Sequence, residues 1–406
     1  MLCIRLALTL PCVRRLNDWT ARKGGLFCGL RFLGIFVGES RFARFEPTLL
    51  LMTFNFNPTD YSFTSAIPDV FTISDFQGET LIMRIYLNRS TSPIFETTLY
   101  VYNNKAEIYD LRSVIEDYME VHGLPYADCS IELQVDRTDY SIPEFKLFYC
   151  RYAVSGSCKD WLQTHFATNH AVRLVPRDFF LDLQYYVFPN EQGKCSTHLV
   201  ILPSESSTPV VYDIEQPAIN TAQFNAYTIE MDENYFLSLL PNGVSGKLLA
   251  ATIQCGARSF SLFISDEKPT LRLYYTNEYN YPDVFHLTAQ TKRELAFSRS
   301  TAICCGKSSS YDDQTEVEFE SESSALTPSL ARQLTTALQS SSLFLTSADY
   351  PSSTSILVTD IESELSDASN ELCHVKFTWK PVRQQPVLTV SEHTRIFTPV
   401  YNRTFN

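Results

Sequence analysis

From Met52 onward the sequence is a succession of short segments in which apolar and polar residues alternate, separated by turn residues. In the clearest segment, Ile131 to Asp136, Ile, Leu and Val alternate with Glu, Gln and Asp. A period of two places successive side chains on opposite faces of a strand, one buried and one in water. Aromatic residues make up 13% of the chain, a bias that also favours strands. The sequence therefore predicts a mainly β fold of β-sandwich-like domains with a few short helices.

Helical spacing interrupts the strands at several points. Two short helices are predicted directly after Asp110 and Asp232, because each of these side chains can cap a helix N terminus. The strongest helix is predicted over residues 328–339, where Thr327 can cap the N terminus and Pro328 fits the first turn. This helix carries one apolar stripe, so it needs a sheet to pack against.

The C-terminal third predicts that sheet. Residues 355–365 and 372–380 are expected to pair as a long hairpin, with Phe377 and Trp379 on one face. A helix packed over the hairpin buries both apolar surfaces. We therefore predict a C-terminal α+β domain with one helix on a β-hairpin sheet. A second, tight hairpin is predicted around Asn103-Asn104, because Asn tolerates the positive φ that such a turn needs.

The first 51 residues differ in composition from the rest. They carry eight basic and three acidic side chains, whereas the whole chain has a net charge of -13. We expect residues 1–51 to be a leader that is not part of the native fold, with Met52 as the start; a cryptic targeting segment is the alternative. Arginines interrupt the apolar runs of this stretch, so neither run fits a signal peptide or a membrane span.

The remainder is predicted to form three domains. A β-rich domain is expected over residues 52–205, a second over 206–285, and the C-terminal domain over 286–406. The joints are placed at the Ser/Thr-rich and proline-bearing stretches 203–209 and 279–282, which we expect not to fill a core.

The net charge excludes one class of partner. A chain of -13 has the wrong sign to neutralise phosphates, so nucleic acid is not expected to bind. Gly306-Lys307-Ser308 resembles the end of a phosphate-binding loop, but Thr301 stands where its first glycine is required. We interpret this stretch as a polar loop between two strands.

Candidate metal and acid-base groups do not form a recognisable motif. His165 and His170 are five residues apart, but their spacing matches no zinc signature, and ordinary surface or loop histidines are expected. Glutamates alternate from Glu316 to Glu322, which is typical of a solvated strand face. An acid pair for glycoside hydrolysis stays open, because only three-dimensional separation would reveal it.

The cysteines after Met52 contain no Cys-x-x-Cys pair, so structural zinc is not expected. Cys150 and Cys158 are close enough in sequence to meet across a turn, and whether they pair stays open. A chain of this size needs no disulfide staples, and reduced, partly buried thiols are the default expectation.

The C-terminal residues are extended and aromatic. Five of them are candidate interaction residues: Ile396, Phe397, Val400, Tyr401 and Phe405. Such a tail can pack on its own domain or add a strand to a neighbouring subunit.

About 130 residues of the C-terminal third resemble a group of tail or baseplate-associated structural proteins of tailed bacteriophages and prophages. The resemblance is carried by 275–283, 288–299, 311–320, 326–328 with the capped helix that follows, 356–364, 370–379 and 396–406. It implies a virion building block that is assembled in the host cytoplasm and has no enzymatic residues to transfer.

These observations favour a non-enzymatic assembly protein without cofactor or metal. We expect it to bind other tail or baseplate proteins and itself, as a homo-oligomer, without inserting into a membrane. The alternative is a surface carbohydrate-binding module, with or without glycoside hydrolase activity, because exposed aromatic rings also stack on sugars.

Overall fold

The alternating segments form strands, which confirms the predicted mainly β fold class. A computed structural model describes residues 52–76, 78–135, 138–304, 306–363 and 372–382. These residues belong to one compact unit and contain twenty-two strands and four α-helices. They form three lobes, each around its own apolar core. None of the helices in the described ranges is both long and apolar enough to span a bilayer.

The first lobe, residues 52–149, encloses its core between two sheets and a helix. Its elements are β1 (Thr53–Phe54), β2 (Tyr61–Phe63), a 3-10 turn (Thr64–Ala66), β3 (Val70–Ser74), β4 (Thr80–Leu87), β5 (Phe95–Tyr100), β6 (Lys105–Tyr109), α1 (Leu111–Val121), β7 (Tyr126–Val135) and β8 (Thr138–Phe148). One sheet has the order β2-β8-β7-β4-β5 and the other β1-β3-β6. Ile131, Leu133 and Val135 of β7 are buried, as their alternation predicts.

Two local predictions in this lobe are corrected. Asn103 and Asn104 do adopt positive φ, at 53° and 57°, but the strands beside them pair only at Tyr102 and Lys105 before they separate into different sheets. Asp110 does not cap α1 through its side chain, because its own backbone is left-handed with φ 57°. The helix is held instead by the burial of Leu111 and its apolar face.

The second lobe, residues 158–265, also packs two sheets on one core. Its elements are α2 (Cys158–Thr164), β9 (Val172–Pro176), β10 (Leu181–Val187), β11 (Gln192–Pro203), β12 (Val210–Asn220), β13 (Asn225–Met231), α3 (Glu233–Ser238), β14 (Gly246–Cys255) and β15 (Arg258–Ser265). The sheets have the orders β12-β11-β14-β15-β9 and β10-β13. The Asp232 side chain caps α3 by accepting from the Tyr235 N–H, as predicted. The predicted joint 203–209 is the exposed loop between β11 and β12, which pair with each other; the division into domains stays a prediction.

The third lobe, residues 271–382, is a single sheet with one helix against it. Its elements are β16 (Leu271–Thr276), β17 (Pro282–Leu287), β18 (Ala289–Cys304), β19 (Lys307–Ser323), α4 (Pro328–Leu338), β20 (Leu343–Ser347), β21 (Thr354–Ser363) and β22 (Val375–Pro381). The strand order is β17-β16-β20-β21-β22-β19-β18. Thr327 caps α4 and the β21–β22 hairpin buries Phe377 and Trp379, so both predictions are confirmed.

Candidate interaction site

β18 and β19 are the longest strands in the described part of the chain, and they leave the third lobe as a two-stranded extension. β22 pairs with β19 only from Phe319 to Glu322, whereas β18 and β19 pair with each other as far as Cys304 and Lys307. We call the part beyond that contact, residues 295–304 and 307–317, the arm. At ~3.3 Å per residue, the ten residues of β18 in the arm reach about 30 Å.

One face of the arm continues the buried face of the sheet. Phe319 is in the core and Val317 is half-buried against it. Leu295 lies opposite Val317 in the ladder, yet its side chain is 58% exposed. Nearer the tip, Ile303 is 80% exposed. Leu295 and Ile303 therefore expose apolar side chains along the arm, on a face of β18 that also carries the exposed Arg293 opposite Phe319.

The other face is charged at its base. The Glu320 carboxylate accepts from Lys292 of β18 and Lys376 of β22, each at 3.3 Å. Hydrogen bonding to Lys376 is the largest effect that holds the pKa of Glu320 below its usual range. This arrangement agrees with the solvated glutamate face predicted for this strand.

Both backbone edges of the arm lack a neighbouring strand in the part of the chain that the structure describes. β18 is the last strand of the sheet, and β19 has no second neighbour beyond Phe319. Unpaired N–H and C=O groups along such edges are a template for another polypeptide. An isolated two-stranded hairpin is also marginally stable in water, so a partner strand would stabilise the arm.

A pocket of about 160 Å³ lies at the base of the arm, and we call it the base pocket. Its walls include Thr291, Phe319, Tyr350 and Trp379. The rings of Phe319 and Trp379 are stacked with centroids 4.3 Å apart, and Tyr350 meets Phe319 edge-on at 5.8 Å. This volume is below the ~300–1,000 Å³ typical of small-molecule pockets, so the base pocket suits a single anchoring side chain better than a ligand.

A polar loop lies at the meeting point of the three lobes. This junction loop, residues 277–281, connects β16 to β17, and Asn277 through Asn280 are all buried. The expectation that 279–282 cannot fill a core is therefore wrong for Tyr279, which is 1% exposed. The Asn280 amide donates to the backbone oxygens of Met119 and Leu124 in the first lobe, at 2.9 and 3.1 Å.

The same loop is bonded to the second lobe. The Asn277 amide donates to the Ala167 oxygen at 3.1 Å. Trp161 donates its indole N–H to the Tyr279 hydroxyl at 2.8 Å, and the Tyr186 hydroxyl donates to that of Tyr281 at 3.0 Å. Hydrogen bonds to both neighbours satisfy the amides and hydroxyls that the loop brings inside, whereas Glu278 Oε2 is buried without a hydrogen-bond partner among the described residues.

A buried ion pair lies beside the junction loop. Arg173 of the second lobe donates to both carboxylate oxygens of Asp283, at 3.0 and 2.5 Å, and both side chains are almost fully buried. The Thr168 hydroxyl accepts a further bond at 3.1 Å. With the Gln333 amide oxygen oriented toward the guanidinium, α4 supplies another acceptor. The pair therefore ties the second lobe to the third.

One of the acid pairs that the structure brings together lies beside a cavity. Asp182 and Glu230 lie directly opposite each other on β10 and β13. Burial first, and then the charges of Glu230 and Asp283, raise the pKa of Asp182. The cavity that Asp182 lines has a volume of only about 10 Å³, far below the ~300–1,000 Å³ of small-molecule sites. We therefore assign no substrate to it.

The other candidate residues are placed as follows. His165 stacks on Trp161 with ring centroids 3.7 Å apart, and His170 Nε2 lies 3.4 Å from the Glu278 carboxylate. Gly306, at φ 76°, turns the chain at the tip of the arm between two strands. In the described ranges, no group of three or more His, Cys, Asp and Glu side chains is arranged to hold a metal ion.

Cys150 and Cys158 are both free thiols, buried in the same aromatic cluster. The tail residues Ile396, Phe397, Val400, Tyr401 and Phe405 lie outside the described residues. The arm is not predicted from the sequence. The residues on both sides of Gly306 are mostly polar and resemble a loop, and only the length of the two polar segments indicates long strands.

Comparison with known proteins gives no family. No family model and no curated protein match the chain. A solved structure to which the chain is similar is the full extracellular region of plexin A4, at 9% identity and a TM-score of 0.18. The alignment covers 82% of this chain and 40% of the plexin chain. A likeness at this level carries no argument about function.

Proposed function

We propose that the protein is a non-enzymatic assembly protein that binds other polypeptides, and copies of itself, through the arm. The observation that carries the proposal is a two-stranded extension of about 30 Å with unpaired edges and exposed Leu295 and Ile303. Adding a strand to an exposed edge is a common mode of protein recognition, in which main-chain hydrogen bonds give affinity and side-chain pockets give specificity.

The base pocket supports the same proposal. Binding energy in protein interfaces is concentrated in a few large side chains that fill well-packed pockets. A partner strand that pairs along β18 would pass Thr291, which is both in β18 and in the wall of the pocket. One apolar or aromatic side chain of that strand could then enter beside Tyr350.

The setting that we propose is the tail or baseplate of a bacteriophage or prophage, on the resemblance described above. In such a particle the protein would contact other tail proteins, and the tail residues 396–406 would be a second contact. Deleting residues 391–406 tests this second contact separately: an assembly of unchanged stoichiometry would show that the tail is not needed.

Truncation of the arm in the full chain tests the main proposal. Residues 296–316 are replaced by Asn-Gly, which favours a tight turn between Leu295 and Val317. We expect the truncated protein to keep its near-UV circular dichroism and lose self-association in size-exclusion chromatography with light scattering. Deletion of Glu205, Ser206 and Ser207 from the exposed β11–β12 loop is the matched control and should leave assembly unchanged. A truncated protein that assembles like the full chain, or a full chain that stays monomeric at high concentration and binds no tail protein, would contradict the proposal.

Carbohydrate binding is the second candidate, and one observation favours it. Tyr100, Tyr102 and Tyr109 are 83%, 78% and 64% exposed at the ends of β5 and β6. The Tyr109 hydroxyl donates to the Glu107 carboxylate at 2.9 Å, which places an acceptor beside a ring. Screening the full chain against a glycan array, with Tyr100→Ala and Tyr102→Ala as variants, tests it: binding that both variants abolish would support this function, and an array without signal would remove it.

A further inference from the structure

Two cysteines face each other across neighbouring strands of the second lobe. In the β11–β14 ladder Cys195 lies directly opposite Cys255. The Gly256 N–H donates to the Lys194 oxygen at 3.0 Å. A bond between these flanking residues identifies Cys195 and Cys255 as a non-hydrogen-bonded pair, the kind in which opposite side chains are closest.

The spacing of such a pair suits a disulfide. Opposite Cα atoms in non-hydrogen-bonded positions are ~4.5 Å apart, within the ~4.4–6.8 Å that a disulfide spans. Both side chains belong to the apolar core of the second lobe. The bond could therefore form without a large backbone movement.

The backbone beside the two thiols is unusually close. A Cβ added to Gly193 would lie 2.7 Å from the Gly256 Cα, so only glycine allows this approach. The register of β11 against β12 also shifts between Gly193 and Cys195. Irregularities of this kind re-aim side chains at the end of a ladder, and here they accompany the cysteine pair.

The electrostatics favour one nucleophile and one resolving thiol. The neighbouring Cys255 thiol, with help from the Arg258 guanidinium, holds the pKa of Cys195 below its ordinary value. The nearby Cys195 thiol, together with burial, raises the pKa of Cys255. A thiolate beside a protonated neighbour is the arrangement that reacts with oxidants.

We propose that Cys195 and Cys255 are a redox-active pair that a peroxide converts into a cross-strand disulfide. The Cys195 thiolate attacks hydrogen peroxide, forming a sulfenic acid and releasing hydroxide. Cys255 sulfur then attacks the Cys195 sulfur, and the sulfenic hydroxyl leaves. The hydroxide and the leaving hydroxyl take up the two thiol protons, so that two thiols and one hydrogen peroxide give one disulfide and two waters. The bond fixes the register of β11 against β14 in the second lobe, and thiol reductants reverse it.

Peptide mapping of the full chain after mild peroxide treatment tests the proposal. We expect a loss of two mass units and a linked peptide that joins Cys195 to Cys255. The thiols of Cys150 and Cys158 are an internal control: they are also buried and free, but do not face each other in a ladder. Linkage of Cys150 to Cys158 in place of Cys195 to Cys255, or stable sulfinic acid at Cys195, would overturn the proposal.

Variants of Cys255 show whether this thiol activates Cys195 or whether Cys195 reacts independently of its neighbour. Cys255→Ser removes the disulfide but keeps a donor group beside Cys195, whereas Cys255→Ala removes both. We expect alkylation of Cys195 at neutral pH to be slower in the Ala variant, by about threefold for each unit that its pKa rises, and to be largely retained in the Ser variant. Equal pH profiles in wild type, Ser and Ala variants would show that Cys255 does not activate Cys195.

Discussion

The junction loop and the arm reverse the usual distribution of polar and apolar residues in opposite ways. The junction loop is polar, yet Asn277 and Asn280 are buried. The arm carries Leu295 and Ile303, yet both are exposed. The difference lies in the partners: the amides of the loop have acceptors in two other lobes, whereas the apolar side chains of the arm end in solvent.

The comparison distinguishes contacts made within this chain from contacts that need a second molecule. Buried polar groups are stable where their hydrogen bonds are made, and the bonds of Asn277 and Asn280 to the other two lobes hold the junction loop in place. One oxygen of Glu278 is the exception, because it is buried without a partner among the described residues. Exposed apolar surface next to unpaired strand edges is stabilised only by a second molecule. We therefore expect changes at the junction to alter stability, and changes in the arm to alter assembly.

The largest effect on stability is expected from breaking the buried ion pair. Asp283→Ala leaves the Arg173 guanidinium without its main partner and should lower the free energy of unfolding by about 3–5 kcal/mol. The double variant Arg173→Met, Asp283→Leu removes both charges and should be more stable than Asp283→Ala. Urea denaturation measures both. A loss below ~1 kcal/mol for Asp283→Ala would show that water compensates the charge and that the junction is not dry.

Acid should weaken the third lobe next to the junction. Burial, and then the charge of Arg272 directly opposite on β16, lowers the pKa of His286 from 6.5 to about 4. Between these values the unfolded chain binds a proton that the folded chain does not, so stability falls as pH decreases from 6.5 to 4. We expect this histidine to account for up to about 3 kcal/mol over that window.

His286→Gln provides the control for the acid effect. It should flatten the dependence of unfolding free energy on pH in this range, measured by urea titrations at several pH values. If the slopes of wild type and His286→Gln are the same, His286 is not the group that titrates.

The Asn280 amide should contribute less than the ion pair. Asn280 has φ 60°, a conformation that glycine adopts without strain. Asn280→Gly therefore isolates the loss of the bonds to Met119 and Leu124, and leaving two buried acceptors unpaired should cost about 2 kcal/mol. Asn280→Ala should be destabilised by about 1 kcal/mol more, because it adds left-handed backbone strain. Thermal unfolding measures both; equal stability of wild type and Asn280→Gly would show that the lobes do not depend on this amide.

The sequence predicts those structural features that depend on residues close together along the chain, and fails for those that depend on distant residues. Alternation in β7 and the cap at Thr327 involve neighbours in sequence, and both predictions are confirmed. The junction loop was expected to lie outside a core because its hydrogen-bond acceptors are more than one hundred residues away along the chain. Asp110 has the residue type of a cap, but its left-handed backbone prevents that role. The arm was missed because polarity in a long strand resembles a loop when no neighbouring sheet is known.

The smallest effect on stability, and the largest on assembly, is expected from single changes at the arm and its base. Leu295→Asp should change the free energy of unfolding by less than about 0.5 kcal/mol, since the side chain is already exposed. It should nevertheless weaken self-association, because a partner strand would have to bury the new charge.

Ala348→Trp, which places a ring at the wall of the base pocket, should weaken binding in the same way if a partner side chain enters there. Analytical ultracentrifugation of both variants, with exposed Val121→Asp on α1 as the matched control, measures this directly. If Val121→Asp weakens association as much as Leu295→Asp does, surface charge in general is responsible and the arm has no special role.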